Sequence, residues 1–223
     1  MDFNNLIQTI LIYALPVLFA ITVHEAAHGY VARYFGDDTA YKMGRMTLNP
    51  IKHIDPIGTV LMPLMLYFAT SGTFLFGYAK PVPVNFAQLR HPKRDMVWVA
   101  LAGPGVNLLQ ALLWAIAFTV MRSAGVDEPF FLLMAMAGVL VNLVMAAFNL
   151  FPLPPLDGGR VLVGLLPPRQ AYAVSRIEPW GFFIVLGLVL LGVVGTYWLL
   201  PLLKLGYLAL DSLNLATPFP RIR

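Results

Sequence analysis

The chain contains no cysteine. Thiolate metal sites, disulfide frameworks and a cysteine nucleophile are therefore excluded. Charge is scarce as well: Asp, Glu, Lys and Arg make up 12% of the 223 residues, about half of the roughly 25% usual in globular domains. No run of five basic residues occurs, and the net charge of +4 is spread through the polar connections. Nucleic-acid binding is therefore not expected, and the charges read as a topology signal. The N-terminus, Met1 to Asn5, lacks a basic n-region, which argues for a retained span over a cleaved signal peptide. No internal repeat is apparent.

Apolar residues fill the space that charge leaves. They account for 59% of the chain, and the mean hydropathy is +0.74. This composition predicts an all-α polytopic membrane protein, organised as a single membrane-embedded domain over 1–223. Helices are expected over 6–35, 95–121 and 130–150, with a short helix to 166 and a further span over about 180–200, extending to 203 at most. Between the first two, residues 41–89 read as a small extended or re-entrant segment. Within it, 41–48 has strand character, 60–68 is apolar but too short to cross, and Lys80 to Asn85 is stiffened by Pro81 and Pro83. Of the 15 Lys and Arg residues, eleven fall in 33–94 and 152–179 and four elsewhere. That asymmetry places the 35-end of the first helix on the cytoplasmic side and both termini outside.

The first apolar run ends in His24-Glu25-Ala26-Ala27-His28. On a helix, His24 and His28 are i and i+4, so their imidazoles share one face a turn apart. Two ligands of a tetrahedral zinc need that spacing, and Glu25 beside them can serve as base for an activated water. His28 lies eight residues before the helix stop at Gly36, about 12 Å inside it at 1.5 Å per residue. Ionisable residues at such depth cost roughly 2.5–3.5 kcal/mol each when charged, which marks them as functional candidates facing a bundle interior or a wet cavity.

A catalytic zinc wants a third protein ligand. Asp157 follows a helix that breaks at Asn149 to Pro155 and is flanked by Gly158 and Gly159. It reads either as that ligand or as the N-cap of the next helix. His53 is the second choice for the ligand. Asn107, beside Gly103-Pro104-Gly105, and Asn149 offer amides inside the bundle. Each reads either as a partner for an oxyanion or substrate backbone, or as an interhelical hydrogen-bonding group. The prolines at 152, 154 and 155 leave backbone carbonyls near Asn149 without helical donors. Asn149 with this run, Pro154 included, is accordingly expected to align an unwound substrate. Strand-like 41–48 or 81–85 is expected to accept it by β-augmentation.

His24-Glu25-x-x-His28 in a first helix, Gly103 to Asn107 in the next, and Asn149 through Leu156-Asp157-Gly158-Gly159-Arg160 in the third resemble the intramembrane site-2 protease family. The resemblance is ordered and covers about 15–165, within a core of 6–166. It implies a three-helix catalytic core holding one zinc per chain through His24, His28 and Asp157, with Glu25 as the catalytic base. It also implies hydrolysis of peptide bonds in or near the transmembrane segments of membrane-protein substrates; with the basic-residue asymmetry, the active site of this multi-pass protein is expected to face the cytoplasm. A minimal form is expected, without the PDZ insert or CBS domains of some relatives. The competing class is a membrane metal-binding or transport protein that uses the same three ligands without proteolysis.

Overall fold

The computed structural model describes residues 3–62, 65 and 77–215. Three helices are long and apolar enough to cross a membrane. They are α1 (Phe3–Tyr34), α2 (Pro92–Ser123) and α3 (Pro129–Asn149). The membrane protein expected from composition is therefore an α-helical bundle, and no strand occurs among the described residues. α1 stops where Gly36 adopts φ +110 and the Asp37 N–H returns to the Ala32 carbonyl. α2 begins with Pro92, whose missing N–H costs nothing at a helix start.

α2 packs against both α1 and α3, which also touch each other. Because the three run alternately up and down, the C-terminal end of α1, the N-terminal end of α2 and the C-terminal end of α3 lie at one end of the bundle. Small residues make the approach close: Ala111 and Ala115 of α2 meet Val139 and Leu143 of α3 in a core that also takes in Leu203, Tyr207 and Leu210. Lipid drives no hydrophobic association between helices, so packing through small residues carries the contact.

After α3 the chain folds back tightly. Residues 150–156 turn over on themselves, and α4 (Asp157–Leu165) starts directly behind them. A Cβ at Gly158 would stand 2.1 Å from the Leu150 carbonyl oxygen, and one at Gly159 would stand 2.1 Å from the Pro154 nitrogen. No side chain fits either position, so the paired glycines set how closely α4 sits under the end of α3. α4 packs against α2, which returns Asp157 to the bundle. α5 (Pro168–Ser175) and α6 (Glu178–Leu190) follow, bent by 66° relative to each other.

Two expectations need correction. The strand expected over 41–48 is not formed: Thr39–Lys42 is a single helical turn. Its start is fixed by Asp37, whose carboxylate accepts the Thr39 N–H and hydroxyl. The expected span over 180–200 is helical but not continuous. α6 ends at Leu190, Gly192 takes φ +75, and helix resumes with a π-helical turn at Gly195–Leu199 running into α7 (Leu200–Ser212). Residues 56–61 form a π-helical turn, and most of 60–68 otherwise lies outside the described residues.

The Lys80 to Asn85 stretch is an ordered strap. Its Lys80 N–H bonds the His53 carbonyl at 2.9 Å, and its Asn85 N–H bonds Asp37 at 2.7 Å. Asp37 is wholly buried and ties the strap to the end of α1. Asp37→Ala leaves the Thr39 and Asn85 amides without that acceptor. The expected loss is about 1–3 kcal/mol, measured as a lower midpoint of thermal unfolding in detergent together with faster proteolytic nicking of 77–89.

Candidate metal centre

His24 and His28 sit on the face of α1 that turns to α2 and are 4% and 9% exposed. Their Nε2 atoms are 3.1 Å apart. Asp157, the first residue of α4, brings Oδ2 to 3.2 Å from one Nε2 and 3.4 Å from the other. Leu156 occupies the cap position of α4, and no side-chain cap bond is made there. Among the described residues these three form the one group of His, Asp and Glu side chains able to share a metal ion.

The hydrogen bonds on the far side of each ring decide what the near side offers. Asn107 donates its amide hydrogens to the Ala20 carbonyl at 3.2 Å and to Asn142 Oδ1 at 2.9 Å. Its own Oδ1 therefore faces His24 Nδ1, which must be the donor. Asn142 is fixed in turn by donating to the Gly138 carbonyl at 2.9 Å. His28 Nδ1 donates to the Val99 carbonyl at 2.7 Å. A neutral imidazole that is protonated at Nδ1 carries its lone pair at Nε2. Two nitrogen lone pairs and a carboxylate oxygen thus point into one space, and Asp157 Oδ2 is buried without a hydrogen-bond donor. Electron-pair donors so close repel one another unless a cation lies between them. The donor set fits a zinc ion, for which imidazole nitrogen and carboxylate oxygen are ordinary ligands.

α2 makes room for this arrangement with Gly103. A Cβ there would lie 2.5 Å from both His28 Nε2 and His24 Cε1. Gly103 is thus the wall of the ligand cluster.

Glu25 makes a separate contact. Its Oε2 accepts the Val82 N–H of the strap at 2.6 Å. It is half-buried and stands beside the cluster rather than in it.

The remaining expected residues are placed as follows. Asn107 is completely buried, with its amide hydrogens donated to Ala20 and Asn142 and its Oδ1 against His24 Nδ1. Pro154 is also fully buried, with its carbonyl against Gly181, and the exposed prolines of the run are Pro152 and Pro155. Asn149 is half-buried and donates to the Met145 carbonyl one turn back. His53, the second choice as ligand, is buried outside the cluster with Nε2 donating to the Thr47 carbonyl at 2.9 Å. The strap is a poor edge for strand addition: Pro81 and Pro83 have no N–H, and those of Lys80, Val82 and Asn85 are taken. Asn142 was passed over in the sequence, although a lone amide inside an apolar span is the signal that finds it.

Two substitutions test this geometry. Gly103→Ala should abolish metal retention, since the new methyl collides with both ligand rings. Asn107→Leu should weaken zinc affinity by ~10–100-fold, the usual cost of losing the group that orients a ligating histidine. Metal analysis of the purified variants and competition with a chelator read both effects.

No family model and no solved structure matches the chain. Curated relatives do. The chain is 39% identical over 201 residues to YwhC of Bacillus subtilis, covering 86% of this chain and 85% of the relative. It is 32% identical over 195 residues to Rip2 of Mycobacterium tuberculosis, with 83% and 71% covered, and 30% identical over 181 residues to Rip2 of Mycolicibacterium smegmatis, with 78% and 64% covered. The names of all three assign them to the zinc metalloproteases. With its histidine-rich α1 motif, its buried His-His-Asp cluster and a relative aligned over most of both chains, the protein belongs to this family of membrane zinc metalloproteases, the site-2 proteases.

Proposed function

We propose that the protein is an intramembrane zinc endopeptidase that cleaves transmembrane segments of other membrane proteins. The observation that carries the reading is the convergence of His24 Nε2, His28 Nε2 and Asp157 Oδ2 within 4.8 Å of one another inside an apolar bundle. In this reading His24, His28 and Asp157 hold one zinc ion. A zinc bound there supplies a Lewis acid that polarises a carbonyl and eases the deprotonation of water.

The chain's own residues do the rest. Glu25 takes the proton of the attacking water as its oxygen bonds to the scissile carbonyl carbon, and later gives that proton to the leaving amine nitrogen. Asn107 and the Val99 carbonyl hold the two imidazoles in the tautomer that presents Nε2. Water is needed at the site, and the placement of the cluster at one end of the bundle, about 9 Å from the end of α1 at 1.5 Å per residue, keeps that path short. A helical substrate has its carbonyls bonded internally, so it must unwind before cleavage. Asn149, with the exposed Pro152 and Pro155, lies where an unwound strand can be aligned. The excess of basic residues at this end supports access from the cytoplasm.

Transport of metal is less well supported, because a path needs ligands at successive depths and the described residues hold one cluster.

Reconstituted protein with a transmembrane reporter peptide tests the reading. Asp157→Ala is expected to lose zinc and activity together. Glu25→Gln is expected to keep zinc while cleavage falls at least ~10²-fold, the scale of losing a general base. Activity of Glu25→Gln within a few-fold of wild type would remove Glu25 from the mechanism. Sidedness is read separately: single cysteines placed at Asp38 and Arg169 in this cysteine-free chain should react with an impermeant maleimide only from the cytoplasm.

A further inference from the structure

The Pro81-Val82-Pro83 triplet lies along α1 beside the metal centre, and it carries a single N–H. That N–H belongs to Val82, because proline has none, and it is donated to Glu25 Oε2 at 2.6 Å. Val82 is 6% exposed, and its side chain packs over Gly29 of α1. The strap cannot slide past this point. Upstream, the Lys80 N–H is held by the His53 carbonyl at 2.9 Å, and Arg45 Nη2 donates to the Lys80 and Pro81 carbonyls at 3.0 and 3.3 Å. Downstream, the Asn85 N–H is held by Asp37 at 2.7 Å.

We infer that the Val82 backbone amide is the positioning group for Glu25: it binds Oε2, sets the carboxylate's rotamer and leaves Oε1 to exchange the proton with water. The inference rests on Glu25 acting as the general base. Several features combine to give the amide this role. The flanking prolines remove competing donors, and their fixed φ, with the extended backbone imposed before each, presets the direction in which the one N–H points. The hydrogen bond is charge-assisted, which makes it short and strong relative to a neutral one. A free glutamate side chain on a helix samples several rotamers, and only a narrow set brings an oxygen to a water poised over the neighbouring histidines. Held at Oε2, Glu25 has that choice made for it before substrate arrives, which is the form of preorganisation that lowers an activation barrier rather than a binding constant.

The opposite role for the same contact is a block, in which the strap occupies the base until substrate displaces it. The two roles predict opposite signs. In the zinc-loaded full chain, reconstituted with the transmembrane reporter, Val82→Pro deletes the N–H. It should lower kcat about tenfold, the order of a lost hydrogen bond to a charged group, with KM within about twofold and zinc content unchanged. Val82→Ala, the conservative variant that retains the N–H, should recover most of that loss. A Val82→Pro enzyme with kcat at or above wild type overturns the inference, since the amide would then be idle or obstructive. Hydrogen–deuterium exchange gives a readout that needs neither activity nor that variant. In Glu25→Ala the Val82 amide should exchange much faster while those of Lys80 and Asn85 stay protected, and unchanged Val82 protection would equally overturn the inference. Wild-type cleavage by Glu25→Gln would instead sink the general-base reading itself, whatever Val82 does, so the two failures are told apart.

Discussion

The constraint on which the rest of the structure depends is electrostatic. Three electron-pair donors from two distant parts of the chain are aimed at one point inside an apolar bundle. In a medium of low dielectric such a grouping is strongly unfavourable by itself and strongly favourable around a divalent cation. Everything near it can be understood as holding that geometry. Gly103 gives the rings space, the Val99 carbonyl and Asn107 fix their tautomers, and Asn142 with the Gly138 carbonyl fixes Asn107. This relay links all three long helices, so the orientation of a ligand on α1 is set by a carbonyl on α3. The turn from α3 into α4 completes the set by returning Asp157 to the end of the bundle that the histidines already occupy.

Backbone amides satisfy several of the acids that are buried or half-buried. Asp37 takes the N–H groups of Thr39 and Asn85, Asp95 takes that of His91, Asp55 takes those of Ile57 and Gly58, and Glu25 takes that of Val82. Such bonds satisfy the carboxylate oxygens without burying a second charged side chain. They also explain why an irregular segment can be ordered at the membrane surface. Irregular backbone is tolerated at this level only where its polar groups are paired. Between 78 and 85 the N–H groups of Tyr78, Lys80, Val82 and Asn85 each have an acceptor.

The bundle also divides its labour along the membrane normal. Further along the bundle, α2 meets α3 and α7 in apolar packing around Ala111, Val139 and Leu203. The near end carries the polar network, the strap and the tight turn at 150–156. Large apolar side chains such as Phe19, Leu109 and Leu113 remain exposed on the outer faces, as a lipid-facing surface requires, so exposure of this kind is no defect of packing here.

Much of this was legible from the sequence, because the signals concerned are local. Long apolar runs locate α1, α2 and α3 to within a few residues, since burying backbone in lipid leaves helix as the only open choice. The i, i+4 histidines declare a shared face because helical geometry is fixed. The family resemblance rests on motifs of the same local kind. What the sequence could not determine was set by contacts between distant segments. Tyr41 to Leu48 has the composition of a strand, yet Asp37 caps a helical turn there and no neighbouring strand exists to pair with it among the described residues. The apolar run after Trp180 promises one span, but it breaks at Gly192, whose φ of +75 interrupts the helix. Asn107 reads as facing either a substrate or the interior, and Pro154 as facing a substrate. Only the packing of α2 between α1 and α3, and of Gly181 against the Pro154 carbonyl, turned both inward. Residue type and spacing determined which side chains could bind a metal. Tertiary structure decided which way each of them points, because a side chain's direction depends on neighbours that helical periodicity cannot name.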